Sequence, residues 1–191
     1  MIHSINESGR RVAEIIENML SFSRKSDGQS TTISIEELIE KTLELAYSDF
    51  DMKKQYDFKL VTIIKDFGKN LPQIPCERAK IQQVLLNILR NGAQAMMSSQ
   101  IENPTFTIST RTDDKRKMVC IEIMDNGPGM IESIRKRVFE PFFTTKEVGV
   151  GTGLGLSVSY FIITENHGGE MEVESHPGDG ARFIIRLPYR N

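Results

Sequence analysis

Asp125-Asn126-Gly127-Pro128-Gly129, followed further along the chain by Gly151-Thr152-Gly153-Leu154-Gly155-Leu156-Ser157, sets one carboxylate beside two glycine-rich loops. The first loop leaves the apolar run Val119-Cys120-Ile121-Glu122-Ile123-Met124, whose length and β-branched content suit a buried strand. Asp125 is therefore expected at a strand end facing a cavity, where a fixed acceptor can take a proton from the exocyclic amine of adenine. Gly127 and Gly129 let the backbone approach a base and ribose closely. The second loop runs into an apolar, helix-like stretch whose first amides would point at phosphate. The pair reads as a nucleotide site.

Either motif alone is weak, because a D-N-G turn is ordinary hairpin chemistry and glycine triplets punctuate surface loops. Two further blocks add weight: Gln83-Val84-Leu85-Leu86-Asn87-Ile88-Leu89-Arg90-Asn91-Gly92-Ala93-Gln94-Ala95 upstream, and Phe139-Glu140-Pro141-Phe142-Phe143-Thr144-Thr145-Lys146 between the loops. In this order the four blocks resemble the N, G1, F and G2 boxes of the catalytic and ATP-binding domain of sensor histidine kinases, in the GHKL (Bergerat-fold) superfamily. The resemblance runs from about residue 30 to about residue 190. It includes His167-Gly168-Gly169, Ser175-His176-Pro177-Gly178 and Gly180-Ala181-Arg182-Phe183, which with Leu187-Pro188 are similar to the closing hairpin of these kinases. The implied fold class is α+β: a two-layer α/β sandwich with a mixed, mostly antiparallel sheet, helices on one face, and an amphipathic helix in front.

The chain of 191 residues, 39% of them hydrophobic, is long enough for one good-sized domain plus an appendage. A net charge of −2 disfavours a general binder of nucleic acid or anionic membrane, and no apolar run has the length to cross a bilayer. No signal peptide is visible, and a cytoplasmic location without direct membrane contact is expected. Cys76 and Cys120 lack metal-ligand spacing and read as two reduced thiols, with no structural zinc.

Ile2, Ile5, Gly9, Val12, Ile16, Met19 and Ser23 form a heptad seam, flanked by Arg10, Arg11, Glu14 and Glu17. Residues 1–29 are accordingly read as an amphipathic helix plus the linker Ser26-Asp27-Gly28-Gln29-Ser30, and residues 30–191 as the main domain. Thr31 to Ser34 suggest a short strand, and Ser34 with Glu37 a capping box for a helix through Ala46. Phe58 to Ile64 form a β-branched run, and Cys76 leads into a long helix over residues 77–98. Thr105–Thr112 and Met118–Met124 are expected to pair, as are Gly169–Ser175 and Ala181–Leu187 around Pro177-Gly178-Asp179-Gly180. No internal repeat is present.

What the resemblance implies for individual residues can be stated by number. Asn87 and Asn91 share a helix face; Asn91 is matched to the residue whose side-chain oxygen holds Mg²⁺ against the triphosphate, a cation that needs few protein ligands. In gyrase-like, mismatch-repair and heat-shock chaperone ATPases the position of Asn87 carries a glutamate that activates water; asparagine cannot serve as a base, which favours a kinase over a hydrolase. Gln94 falls where many of these kinases place a lysine near phosphate, and Gly92 where alanine is commoner. Residues 130–150 are similar to the mobile ATP lid, with Phe139, Phe142 and Phe143 latching it, Phe139 partly as a core aromatic. Lys146 is expected to neutralise phosphate charge, with Arg135 and Arg137 as lesser candidates.

Asn87, Asn91 and Lys146 thus stand as catalytic candidates. On the upstream helix and around the first loop, the nucleotide would also meet Gln94, Ala95, Asp125, Gly127, Gly129 and Met130. Along the lid and second loop the candidates are Phe139, Phe142, Phe143, Thr144, Thr145, Gly151, Thr152, Gly153, Leu154, Gly155 and Leu156. Ala181 occupies a position where a threonine often contacts adenine through water. His167 and His176 are read as structural.

A working sensor kinase carries its phosphorylated histidine in an H-box on the first helix of a dimerisation hairpin, and this sequence has none; His3, followed by Ser4, is a poor candidate. The expectation is a fragment or a truncated protein holding the second hairpin helix and a complete catalytic domain. It would bind ATP or ADP and transfer the γ-phosphoryl of Mg-ATP to a histidine on a helix outside the chain, for relay to the receiver domain of a response regulator, with the parent a homodimer. Two other classes compete: a nucleotide-responsive, non-catalytic dimerisation module, and a stand-alone GHKL ATPase.

Overall fold

The computed structural model describes residues 31–48, 58–146 and 151–189. The expected amphipathic helix, its linker and His3 lie outside the described residues, as do 147–150 of the expected lid. In chain order the elements are β1 (Thr31–Ile33), α1 (Ile35–Ser48), β2 (Thr62–Phe67), β3 (Ile74–Cys76), α2 (Arg78–Ser98), β4 (Thr105–Asp113), β5 (Met118–Asp125), α3 (Glu132–Arg135), α4 (Gly155–Phe161), β6 (Glu170–Ser175) and β7 (Ala181–Pro188).

Five strands form one sheet in the order β2-β4-β5-β7-β6, with β2 parallel to β4 and the remaining pairs antiparallel. β1 and β3 make a separate antiparallel pair. This is the expected mixed sheet, and its alternation decides which face is covered. Phe106, Ile108, Ile121, Ile123, Phe183, Ile185 and Leu187 join the single buried core with Leu38 and Leu43 of α1, Ile81, Leu85, Ile88 and Met96 of α2, and Val158 of α4. The alternate residues include a charged network beside Cys120 and Ile184: Arg111 pairs with Glu122 at 2.6 Å, Arg182 reaches Glu122 and Glu174, and Arg186 lies 3.1 Å from Glu172. Ion pairs thus lie on the sheet face opposite the helices.

Local signals explain most element ends. Ser34 accepts the Glu37 amide at 3.4 Å, as a helix N-cap should, but the Glu37 carboxylate pairs with Lys41 at 2.6 Å and Arg78 at 3.3 Å. The cap expected from the sequence therefore docks α1 against the start of α2 as well. Phe58 to Ile64, expected as one β run, is corrected: Phe58–Leu60 is a 3₁₀ turn and the strand is Thr62–Phe67. The cause is tertiary, since Phe58 is buried against Tyr47 and Phe106 (ring centroids 5.3 and 6.2 Å apart) and leaves the strand direction to make that contact. β3 has a proline at its middle position and pairs only with three-residue β1, which is why its period was not visible in sequence.

Candidate functional site

Asp125 closes β5 on the covered face, with Phe106 of β4 and Ala181 of β7 as its two register partners. Only 6% of the residue is exposed. Its Oδ1 accepts two backbone amides, from Gly127 at 2.9 Å and from Ala181 at 3.3 Å, which fix the carboxylate plane and leave Oδ2 directed toward α2. Burial holds this carboxyl above the ordinary aspartate range, and the two amide donors pull the other way.

The first glycine loop is held by the closing hairpin. Gly178 donates to the Pro128 carbonyl at 2.8 Å, Met130 donates to Ser175 Oγ at 2.9 Å, and Ser175 Oγ donates to the Gly180 carbonyl at 2.6 Å. Gly129 (φ 69°) and Gly180 (φ 73°) are both left-handed, and a Cβ on either would stand 1.9 Å from a backbone oxygen, of His176 and of Asp125 respectively. Only glycine permits this interlock. Asn126 anchors the other side, its Oδ1 accepting the Thr105 amide at 2.8 Å.

α2 carries the second half of the site. Asn87, Asn91 and Gln94 lie along one face, half-buried, while Val84, Leu85, Ile88 and Leu89 fill the core. Gly92 is squeezed between the halves: a Cβ there would lie 2.7 Å from the Phe106 ring and 3.1 Å from Asp125 Oδ2. Asn91 precedes this glycine in α2. Its Oδ1 accepts from Lys146 Nζ at 3.2 Å, and the same ammonium donates to Gln94 Oε1 at 2.5 Å. Burial lowers the pKa of Lys146 from the usual lysine value.

Asn87 has a different task. Its Nδ2 donates to the Gly155 carbonyl at 3.1 Å and to Ser159 Oγ at 3.2 Å, binding α2 to the first turn of α4. The second glycine loop so held has Gly151 packed on Thr144 Oγ1 and the Lys146 stem, while Thr152 Oγ1 accepts the Leu154 amide at 3.4 Å. Leu154 is buried; Ala95, Met130 and Leu156 are half-buried.

A match to the family model described as "Histidine kinase-, DNA gyrase B-, and HSP90-like ATPase" covers residues 76–191, from the strand before α2 to the end of the chain. The chain belongs to this ATPase family. Among curated relatives it is 38% identical over 178 residues to the signal transduction histidine-protein kinase AtoS of Escherichia coli (93% of this chain, 27% of that protein). It is 34% identical over 183 residues to the sensor protein FixL of Bradyrhizobium diazoefficiens (95% and 34%). To the sensory histidine kinase/phosphatase NtrB of Vibrio alginolyticus it is 32% identical over 194 residues (97% and 51%). The chain therefore spans between about a quarter and a half of these relatives. Among solved structures, the catalytic domain of histidine kinase ThkA superposes with a TM-score of 0.67 at 28% identity, covering 83% of this chain and 95% of that one.

Within this ATPase-family domain the aromatics of residues 139–143 divide. Phe139 is half-buried against Tyr160 (5.1 Å between ring centroids) and Phe183 (6.5 Å), so it anchors its segment to α4 and the sheet. Phe143 lies beneath the Arg137 guanidinium at 4.3 Å. Phe142 is 60% exposed in a left-handed backbone (φ 64°), and Thr144 and Thr145 are exposed beside it. Arg137 is held by Glu140 at 2.8 Å, and Arg135 lines a hollow with Met124, His176 and Arg182. Lys146, by contrast, meets Asn91.

His167 is a structural residue of the ATPase-family domain. Its Nε2 accepts the Glu77 amide at 3.1 Å and its Nδ1–H donates to the Ile162 carbonyl at 2.8 Å, joining the start of α2 to the turn after α4. Sequence reasoning missed Ser175, Ser159 and the Ala181 amide as supports of the site. The residue pattern Ser-His-Pro-Gly-Asp-Gly was readable as a hairpin, but nothing in it announced that the hairpin would brace Asp125.

Proposed function

We propose that this chain is the ATP-binding catalytic domain of a two-component sensor histidine kinase, which passes the γ-phosphoryl of Mg-ATP to a histidine supplied by a partner helix, for relay to a response-regulator aspartate. The observation that carries this reading is the buried, amide-pinned Asp125 carboxylate, whose Oδ2 faces Gly92 of the same helix that carries Asn91. Its Oδ2 is a hydrogen-bond acceptor in a carboxylate that meets no cation among the described residues, which suits the amine of adenine and repels the carbonyl that guanine places there. Burial makes an unmatched partner expensive, so the pocket discriminates by hydrogen bonding.

Asn91 Oδ1 is a neutral oxygen acceptor of the kind a hard ion such as Mg²⁺ takes; the Lys146 ammonium that it now accepts from would yield this oxygen to the ion and keep its bond to Gln94. Such an ion supplies charge neutralisation along the phosphates when bound. The chain's own contributions are positional: Asp125 orients the purine, Asn91 offers its oxygen, Lys146 meets phosphate charge, and the second glycine loop approaches the phosphates with its backbone. Asn87 is committed to Gly155 and Ser159 and is not a base, which counts against steady hydrolysis. A receiver domain as downstream partner is supported by the structure of ThkA in complex with the response regulator protein TrrA.

The test mixes the chain with a separate helical hairpin containing a phosphoacceptor histidine and γ-labelled ATP. Label on the hairpin, lost with Asp125→Ala, is the expected result; magnesium-dependent binding with no transfer to any hairpin would leave a nucleotide-responsive module instead.

A further inference from the structure

We infer that Gln94 is the residue that positions Lys146, so that the cation facing the terminal phosphate is delivered by the lid segment and seated on α2 by a neutral amide. The inference rests on the ATP-site reading above and adds to it a role for a side chain that reading leaves idle. Lys146 Nζ lies 2.5 Å from Gln94 Oε1 and 3.2 Å from Asn91 Oδ1. Both partners are uncharged, so neither cancels the ammonium's charge, and with two of its three donors engaged the third is left for a phosphate oxygen. A carboxylate at 94 would cancel the charge, and a cation there would drive Lys146 away.

The lysine stem is also braced. Its own amide donates to Thr144 Oγ1 at 3.1 Å, closing a tight turn, and a Cβ on Gly151 would lie 3.0 Å from Lys146 Cδ. The second glycine loop therefore passes directly over the stem, and Gln94 receives the head. On the helix face that meets the site, Asn87, Asn91 and Gln94 are all amides, so Lys146 is the ammonium that this face receives. Seating on Gln94 makes the charge available to a third phosphate only when the lid segment is docked. The prediction is a sharp difference between triphosphate and diphosphate, because ADP does not extend to the lysine.

Affinities for Mg-ATP and Mg-ADP are to be measured by calorimetry on the wild-type chain and on Lys146→Gln, Gln94→Glu, and the exchange variant Gln94→Lys/Lys146→Gln, with nucleotide-free melting curves to confirm folding. The lost charge-assisted bond should weaken ATP roughly ten- to a hundredfold in Lys146→Gln while ADP stays within about twofold. Gln94→Glu, which seats the lysine but cancels its charge, should lose ATP preference in the same way. The exchange variant should recover most of it by carrying the cation on the helix. An exchange variant no tighter for ATP than Lys146→Gln, or a Gln94→Glu variant with unchanged preference, overturns the inference. A wild-type chain that binds neither nucleotide overturns the site reading itself, and the inference with it.

Discussion

Gly92 and Asp125 face each other so closely that a methyl group on the glycine would stand 3.1 Å from Asp125 Oδ2 and 2.7 Å from the Phe106 ring edge. Alanine in place of glycine favours a helix by about 1 kcal/mol. Against this, Phe106 is fully buried, and overpacking a filled core costs about 1–3 kcal/mol. Gly92→Ala is expected to lower stability in urea denaturation and to weaken ADP binding by displacing the carboxylate. A variant more stable than its parent with unchanged affinity would show that Phe106 yields freely.

Asp125→Asn should separate stability from binding. The folded carboxyl titrates above its ordinary value of 3.8 because of burial, so the folded chain retains this proton to higher pH than the unfolded chain. Its stabilising contribution is complete below the unfolded value and is lost as pH rises through the folded one; at neutral pH the buried charge is a liability. Asparagine keeps an oxygen for the Gly127 and Ala181 amides and carries no charge. The variant is expected to melt higher than the parent at pH 7, to lose that advantage in acid, and to bind no ADP. Thermal melts across pH 4–7, paired with calorimetry, check both halves.

The parts of the fold legible in sequence were those with an uninterrupted period. Val119–Met124 announced β5 and hence the position of Asp125, and the apolar stripe through Val84, Leu85, Ile88 and Leu89 announced α2. β1 and β3 are three residues each and carry no period to read. Phe58 was misassigned because a local β-branched run cannot reveal that its aromatic will turn into the core. Among the candidate site residues, Asn91 meets Lys146 and Asp125 stands at the end of β5 facing Gly92, whereas Asn87 turns to α4. That difference depends on where the Gly155 carbonyl points, which is a tertiary fact.

His167 supplies a test of structure against chemistry. Both ring nitrogens are engaged, one accepting from Glu77 and one donating to Ile162, so replacing it by alanine strands a backbone N–H and a carbonyl. Such unmet groups cost about 1–3 kcal/mol each. His167→Ala should lower the denaturation midpoint accordingly, yet under folding conditions it should neither abolish ADP binding nor change phosphate incorporation from labelled ATP. Loss of an acid-labile phosphate with this variant alone would reassign the histidine as a phosphoacceptor.

Asn87→Glu asks whether the site can be turned into a hydrolase by placing a carboxylate where related ATPases carry one. The native amide donates to the Gly155 carbonyl and to Ser159 Oγ, and an ionised glutamate donates nothing. Ser159 can still donate to Gly155 at 2.9 Å, so the carbonyl is not wholly stranded, but the carboxylate would confront that oxygen at close range. The expected outcome is a loss of roughly 1–3 kcal/mol of stability, as for other buried polar mismatches, with ATP turnover at background. Asn87→Ala, which removes the donor without adding charge, should lose less. Steady hydrolysis in the glutamate variant, measured as released phosphate and abolished by adding Asn91→Ala, would mean that the first turn of α4 can relax away from α2 and free residue 87 to act on water.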